Sequence, residues 1–350
     1  MTIEISPLDT LFFKNPKPFN AGDESWSDGI FPPTPSTIYG ALRSIYFRNN
    51  PHELEKANTK DDPTKDLLIH KIYLKQNRNI YFPLPLDIVY KKGFKTHSYI
   101  LQQDEKNIIT NYKTDFILNL KGDEAIEIFE NSFLTTSNFK KYQNSSDEKF
   151  RNFTEIKSID KFIINEPKIG NKIDKKNKTV QDGYLYRVDF KRLIKNVKIV
   201  VEFSGLDIKN NQIMRLGGEG KIATINEIER VDIDNPNIDK KFKLYFLTPA
   251  IFDKGWLPKW IDKDSLEGEY RGLNLKHLTA SIGKYKLIGG FDMKENRPKL
   301  MYRAVPEGSV YYFELLSGDK EKVIELLHNQ AISDKLANEG YGITFIGEVK

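Results

Sequence analysis

The chain has 350 residues, of which 39% are hydrophobic, 12% aromatic and 29% charged. That composition excludes global disorder and a single small module, and at roughly 150 residues per domain it predicts two domains. There is no cysteine, so disulfides, thiolate metal sites, iron–sulfur clusters and cysteine nucleophiles fall together, and the net charge of +5 points only mildly to a polyanionic partner.

The N-terminus, MTIEISPLDTLFF, carries Glu4 and Asp9 where a signal peptide needs basic residues and an apolar stretch. No apolar run reaches the length of about eighteen residues that a membrane span needs. A cytoplasmic protein without membrane contact is expected. The five histidines, His52, His70, His97, His277 and His328, never share the spacing of about two to five residues that puts two imidazoles on one metal. Neither a metal nor another cofactor is expected.

Residues 2 to 13 read as a strand kinked at Pro7 and ending in Leu11, Phe12 and Phe13. A loop rich in Pro, Gly, Asp and Ser runs from Lys14 to Pro35, with Ser36 or Thr37 as the N-cap of a helix whose inner face is Ile38, Ala41, Leu42 and Ile45. Arg43 points elsewhere. Residues 51 to 66 are polar, carry Pro51 and Pro63, and predict a mobile connection. Two apolar runs, LIHKIYLK and IYFPLPLDIVY, flank Gln76, Asn77 and Arg78, which signals a hairpin. Pro83 and Pro85 demote its second run to an edge or broken strand. Residues 91 to 160 predict short helices and loops inserted into the first domain, and Leu193 to Phe203 reads as a strand closing the first half.

The second half opens with a strand at Gln212 to Leu216, breaks at Gly217-Gly218-Glu219-Gly220 and resumes through Lys221 to Ile225. Further strands are predicted at Phe242 to Thr248, Tyr285 to Met293, Lys299 to Val305 and Val310 to Leu316. A helix follows at Asp319 to His328 with Val323, Leu326 and Leu327 inward, then a last strand from Ile343 to Val349. The order suggests an α+β protein of two ferredoxin-like, antiparallel modules, residues 1–205 and 206–350.

Charge is unevenly spread. Between Ile164 and Val200 ten cations stand against four anions, a local net of +6 that exceeds the charge of the whole chain. Phosphate binding requires such a patch, although a solvated Lys/Asn-rich excursion has the same signature. The Gly217–Gly220 turn holds only Glu219 where a two-metal site needs at least two carboxylates, so its three glycines read as a tight turn or a phosphate cradle flanked by Arg215 and Lys221. Gly340-Tyr341-Gly342 precedes a strand instead of opening a helix, which disfavours dinucleotide binding and leaves a plain turn or a close approach by RNA or another subunit. Ser36 and Thr37 offer hydroxyls at a helix N-terminus, either as simple caps or as anion contacts. No serine or threonine pairs by spacing with a histidine and an acid, so nucleophilic catalysis has no support.

These segments resemble the RAMP (repeat-associated mysterious protein) superfamily, and within it the family of third subunits of the type III-B CRISPR effector, the Cmr complex. The resemblance lies in eight ordered blocks: PLDTLFFKNPKPF at 7–19, FPPTPSTIYGALRS at 31–44, YFPLPLDIV at 81–89, EPKIGNKIDKKNKTVQDGYLY at 166–186, MRLGGEGK at 214–221, FLTPAIFDKGWLP at 246–258, YRAVPEGSVYYFEL at 302–315 and the Gly-rich end at 340–347. Segments 48–66 and 91–160 show none. Asn15-Pro16-Lys17 stands where relatives tend to have Asp-Gly-Arg, and Lys168 where Arg is usual.

The resemblance implies two ferredoxin-like, RRM-related domains, with a projecting basic hairpin or thumb at about 164–190. It further implies a subunit without chemistry of its own that grips the 5′ tag of the CRISPR RNA (crRNA). The implied protein partners are the large polymerase/cyclase-like subunit and an adjacent backbone RAMP subunit. Single-stranded RNA needs cations along its phosphates, glycine turns for close approach and apolar surfaces for splayed bases. Lys168, Lys172, Arg187, Arg215 and Lys221 are therefore the expected phosphate contacts. Gly217, Gly218, Gly340 and Gly342 would admit the backbone, Ser36, Thr37 and Arg43 would touch the tag or a partner, and Ile169 would wedge against a base. The alternatives are a repeat-processing RAMP endoribonuclease, for which no well-placed general base is evident near the first helix, and the equivalent subunit of a type III-A complex.

Overall fold

The computed structural model describes the chain except residues 17–25, 106–112, 115, 121, 123–124, 145–155, 174–178, 293 and 350. Its first sheet is built from β1 (Thr2–Pro7), β2 (Leu68–Gln76), β3 (Asn79–Pro83), β4 (Ser132–Thr135) and β5 (Lys157–Ser158), then β8 (Val197–Ser204), β9 (Gln212–Arg215) and β10 (Ile222–Glu227). Between β5 and β8 the chain leaves the sheet as a hairpin ribbon, β6 (Ile163–Ile173) and β7 (Val180–Leu193), and the two-residue strand Trp26–Ser27 joins β7 in parallel at Arg187 and Val188. The sheet order is β5-β4-β3-β2-β8-β1-β10-β9, antiparallel throughout. Ile3, Ile5, Ile199 and Val201, on alternate positions of paired strands, are fully buried.

Helix α1 (Pro35–Asn49) packs Ile38, Ala41, Leu42 and Ile45 into this core as their spacing predicts. It starts earlier than expected. Thr34 is the N-cap residue and Pro35 the first helical one, because the fixed φ and absent N–H of proline suit that position. Residues 51–66 are structured, not a mobile connection: a 3-10 turn (Pro51–Lys56) leads to Asp62, whose carboxylate accepts from Asn58 N (2.7 Å), Thr64 N (2.8 Å) and Thr64 Oγ1 (2.6 Å). The β2–β3 hairpin turns at Asn77-Arg78, with Asn77 in the left-handed region that asparagine tolerates. Strand β3 is interior, paired with both β2 and β4, because Pro83 is its last residue and costs the ladder little. The 91–160 insertion is mostly short hairpins; β4 joins the main sheet, and α2 (Thr136–Gln143) is the one α-helix among its described residues.

The second sheet comprises β11 (Lys241–Phe246), β12 (Glu267–Tyr270), β13 (Leu273–Ser281), β14 (Val310–Ser317), β15 (Gln330–Ala331) and β16 (Ile343–Glu348), in the order β12-β13-β14-β11-β16-β15. Helix α3 (Lys320–Leu327) buries Val323 and Leu327 against it. The hairpin β12–β13 was not foreseen. Strands β9 and β10, expected to open the second half, belong to the first sheet, which therefore extends to Glu227, beyond the expected junction at 205/206. The molecule is a mostly-β α+β protein. No helix among the described residues is long and apolar enough to cross a membrane.

The two sheets meet around α2. Phe82 of β3 stacks on Phe345 of β16 at 5.6 Å, with Phe139 of α2 edge-on to both. Beside them Asp87, fully buried, accepts from Tyr142 of α2 (2.7 and 2.9 Å) and from Tyr312 of β14 (2.8 Å). Burial raises the Asp87 carboxyl and pulls the adjacent Lys243 ammonium down to about 8, the attraction between the two opposing both shifts. The Lys243 ammonium also lies 3.6 Å from the Tyr142 ring centre.

Asp87→Leu alone strands the buried Lys243 and should cost about 3 to 5 kcal/mol in a denaturant melt, whereas Asp87→Leu with Lys243→Met should recover most of the loss. A second expectation concerns pH. Burial holds the imidazole of His277 at about 3 and that of His328 at about 4. Below the unfolded imidazole value of about 6.5 the unfolded chain takes up protons that the fold refuses. Stability should therefore fall between about pH 6.5 and pH 4, by about 1.4 kcal/mol per pH unit for each ring, as melts across that range would register.

Candidate nucleic-acid interface

The β6–β7 ribbon coincides with the basic segment, and its register decides where each side chain points. Lys168 faces Val188, Ile169 faces Arg187, Gly170 faces Tyr186 and Glu166 faces Phe190. With a period of two, Glu166, Lys168, Tyr186, Val188 and Phe190 share one face while Ile169, Arg187 and Asp189 share the other. Phe190 and Val188 are buried against Phe12 in a small apolar cluster separate from the main core, the two phenyl rings 5.6 Å apart. Reciprocal 2.8 Å backbone hydrogen bonds between Leu11 and Lys191 tie the root of the ribbon to the end of the first segment. The Lys191 ammonium donates to Asn165 (2.7 Å).

The Gly-rich turn between β9 and β10 comes to the same place. Gly218 N donates to Phe12 O (2.8 Å), and Lys221 extends its ammonium over the Phe190 ring at 4.8 Å, as does Lys168 from the ribbon. Two cations from segments 53 positions apart thus share one aromatic ring. Asp9 lies between them and the ribbon's Arg192, accepting from Lys221 (3.0 Å) and Arg192 (3.0 Å). The Thr10 N–H, then the Lys221 and Arg192 cations, hold the Asp9 carboxyl far below the usual carboxylate range. Arg192 also pairs with Glu166.

The expected site residues separate into three groups. Lys168, Gly217, Gly218 and Lys221 converge at the ribbon root, with Arg215 exposed at the neck of the turn opposite Ile222. Ile169 and Arg187 lie on the ribbon's other face; Ile169 is 72% exposed, and Arg187 pairs with Asp189 (3.1 Å). Lys172 is in β6, but its side chain lies outside the described residues. A second group forms a joint within the protein. Ser36 donates to Glu339 and to the Tyr341 hydroxyl (3.1 Å), Thr37 bonds Thr34 (3.0 Å), and Gly340 and Gly342 make room for Ile69 and Ser333. Arg43 stands alone as the third. Its guanidinium is committed to Thr64 (2.7 Å) and Asp62 (2.6 Å) between the rings of Tyr39 and Phe47.

The glycines therefore serve the fold. A Cβ on Gly217 would sit 2.3 Å from Phe12 O, one on Gly340 2.8 Å from the Ile69 side chain and one on Gly342 2.6 Å from Ser333 N, each with positive φ as well. Their close approach is to their own chain. In the Gly217–Gly220 turn only Gly220, with φ +64 and nothing within 4 Å of a built Cβ, faces open space. Sequence reasoning missed Phe12, Phe190, Asp9 and Arg192. The alternation Tyr186, Val188, Phe190 against Arg187, Asp189, Lys191 carried the signal.

This ribbon and turn sit in a chain matched from residue 3 to residue 349 by the family model described as CRISPR-associated protein (Cas_Cmr3). The chain belongs to the Cmr3 family. Members of this family are subunits of the type III-B CRISPR effector, the Cmr complex. The CMR subunit Cmr3 of Saccharolobus solfataricus is 23% identical over 331 residues, covering 91% of this chain and 88% of its own. Similar folds occur in solved structures of the type III-B Cmr-beta bound to cognate target RNA, at TM-score 0.54. The same assembly bound also to AMPPnP gives 0.53. In both the matched chain is 21% identical, and the match covers 89% of this chain and 86% of that one.

Because Phe190 belongs to a cluster of its own, Phe190→Ala should loosen the ribbon more than the sheets. Trypsin cleavage between residues 163 and 193 should accelerate by about an order of magnitude, with most of the thermal unfolding transition retained.

Proposed function

We propose that this Cmr3-family chain is a non-catalytic RNA-binding subunit that holds the 5′ tag of the crRNA at the ribbon root and docks the large polymerase/cyclase-like subunit onto the backbone of the complex. The observation that carries the reading is the convergence of Lys168 and Lys221 on Phe190, which places two cations from separate segments at one aromatic step. Phosphates of a bent strand would take Lys168, Lys221 and Arg215 on one side of the ribbon. Arg187, and Ile169 as a wedge between bases, would engage it on the other, so the strand crosses the ribbon instead of lying in a groove. Ser36, Thr37, Arg43, Gly340 and Gly342 are engaged within the fold away from the ribbon root and are left out of this reading.

A reading of each sheet as one ferredoxin-like unit draws support from the strand order. β2-β8-β1-β10 and β13-β14-β11-β16 are both second–third–first–fourth arrangements with antiparallel neighbours.

Arg215→Ala with Lys221→Ala should weaken binding to tagged RNA and flatten the dependence of log affinity on log salt by about 0.7 for each phosphate that the variant no longer neutralises. Identical affinity across the salt series would refute the assignment. Asp9→Asn, which releases Lys221 and Arg192 from a competing carboxylate, should act in the opposite direction and steepen that slope. Incubation of the purified chain with repeat RNA should leave the RNA intact; specific cleavage products would establish the endoribonuclease alternative.

A further inference from the structure

A second ribbon leaves the molecule in the other half of the chain. Lys286–Ile288 pairs with Tyr302–Ala304, and beyond a break at Gly289-Gly290 the ribbon continues as Phe291–Asp292 paired with Arg297–Pro298. Three residues, Lys299, Leu300 and Met301, stand opposite the two glycines. That bulge throws Leu300 outward until it is 76% exposed. Met301, Phe291 and Tyr285 are each about half exposed, and Arg303 lies over the Tyr285 ring at 5.0 Å. From Ile282 to Arg303 six cations stand against two anions, a net of +4 in 22 residues. Isolated exposed apolar groups are ordinary, but this many on one cationic ribbon are not.

The make-up repeats that of the first ribbon: a strongly exposed aliphatic, Leu300 here and Ile169 there, an exposed aromatic and an excess of cations. The two are also rooted on the same short segment. Lys14 bridges to Gly29, whose Cα lies so close to Asp189 O of the first ribbon that a Cβ would meet it at 2.2 Å, and a Cβ on Gly289 of the second would lie 3.5 Å from Pro16. We infer that the ribbon at 286–304 is a second contact for single-stranded RNA, with Arg297, Lys299 and Arg303 on phosphates and Phe291 and Tyr285 as stacking platforms. The inference rests on the RNA-binding reading of the first ribbon. The charge favours a polyanion over a protein surface, and aromatics flanked by cations are the usual means of holding unpaired bases.

The test uses the full chain and single-stranded oligouridylates of about 6 to about 24 nucleotides, a range that brackets one contact and two. Wild-type affinity should rise with length. Arg297→Glu with Lys299→Glu, both on the exposed ribbon, should leave the shortest RNA unaffected and lower affinity for the longest by about tenfold. Lys168→Glu should weaken both. A 5-iodouridine RNA should crosslink to the peptide carrying Phe291 only when it is long. Unchanged affinity of the Arg297/Lys299 variant at every length would overturn the inference. So would intact RNA binding joined to lost association with another Cmr subunit, which would make the ribbon a protein dock. If the wild type binds no oligonucleotide in a salt-dependent way, the first ribbon's reading fails as well.

Discussion

A hairpin that projects from a sheet cannot hold its own shape in water, and β6–β7, extended at its side by the two residues Trp26–Ser27, is such a hairpin. What fixes it is the contact of Phe190 with Phe12, closed by the paired backbone hydrogen bonds of Leu11 and Lys191. Leu11 and Phe12 are neighbours with opposite duties. Leu11 is sunk in the main core, whereas Phe12 turns to the ribbon's own cluster. Ile163 at the foot of β6 is also buried in the main core, so the ribbon is referenced to the first sheet at both its root strands. The glycine turn obeys the same constraint, since Gly217, with positive φ and Phe12 O 2.3 Å from where a Cβ would sit, can lie on Phe12 only without a side chain.

Once the root is fixed, alternation divides the chemistry. The face toward the glycine turn carries Lys168 and receives Lys221, both drawn to the negative face of the Phe190 ring, while the opposite face carries Ile169 and Arg187. Asp9 keeps Lys221 and Arg192 in position before any ligand arrives. Under the RNA-binding reading a phosphate would have to compete with that carboxylate.

Much of this was legible in the sequence, and the failures have physical causes. The α1 core face and the turn at Asn77-Arg78 were read correctly because local periodicity and turn chemistry determine them. The ribbon was visible as a charge excess, but its faces depend on register, which no single strand reveals. That Gly217, Gly340 and Gly342 lie against their own chain was not legible, because sequence shows that a backbone approaches closely and not which backbone. The partners that Ser36 and Arg43 have within the fold were hidden for a related reason: Glu339 and Asp62 are 303 and 19 residues away. Strand β13 escaped notice because its alternation, Leu273, Leu275, His277, Thr279, places a histidine and a threonine in the buried set. The insertion at 91–160 looked irregular because its strands are short and many of their side chains are exposed.

The two sheets repeat one strand order but not its connections. In the first, the crossover from β1 to β2 carries α1, and the one from β8 to β10 carries no helix; in the second, β11 to β13 runs without an α-helix and β14 to β16 carries α3. Residues 205–221 join β8 to β10 without a helix and form β9, the edge strand beside β10, and the glycine turn. A helix in that connection would pack on a face of the sheet and bring no loop to Phe12. The hairpin instead brings Gly218 to Phe12 and Lys221 to the Phe190 ring. The seam between the two sheets is built elsewhere, by Phe82, Phe139 and Phe345 and by the Asp87 joint, so the ribbon root stays clear of it.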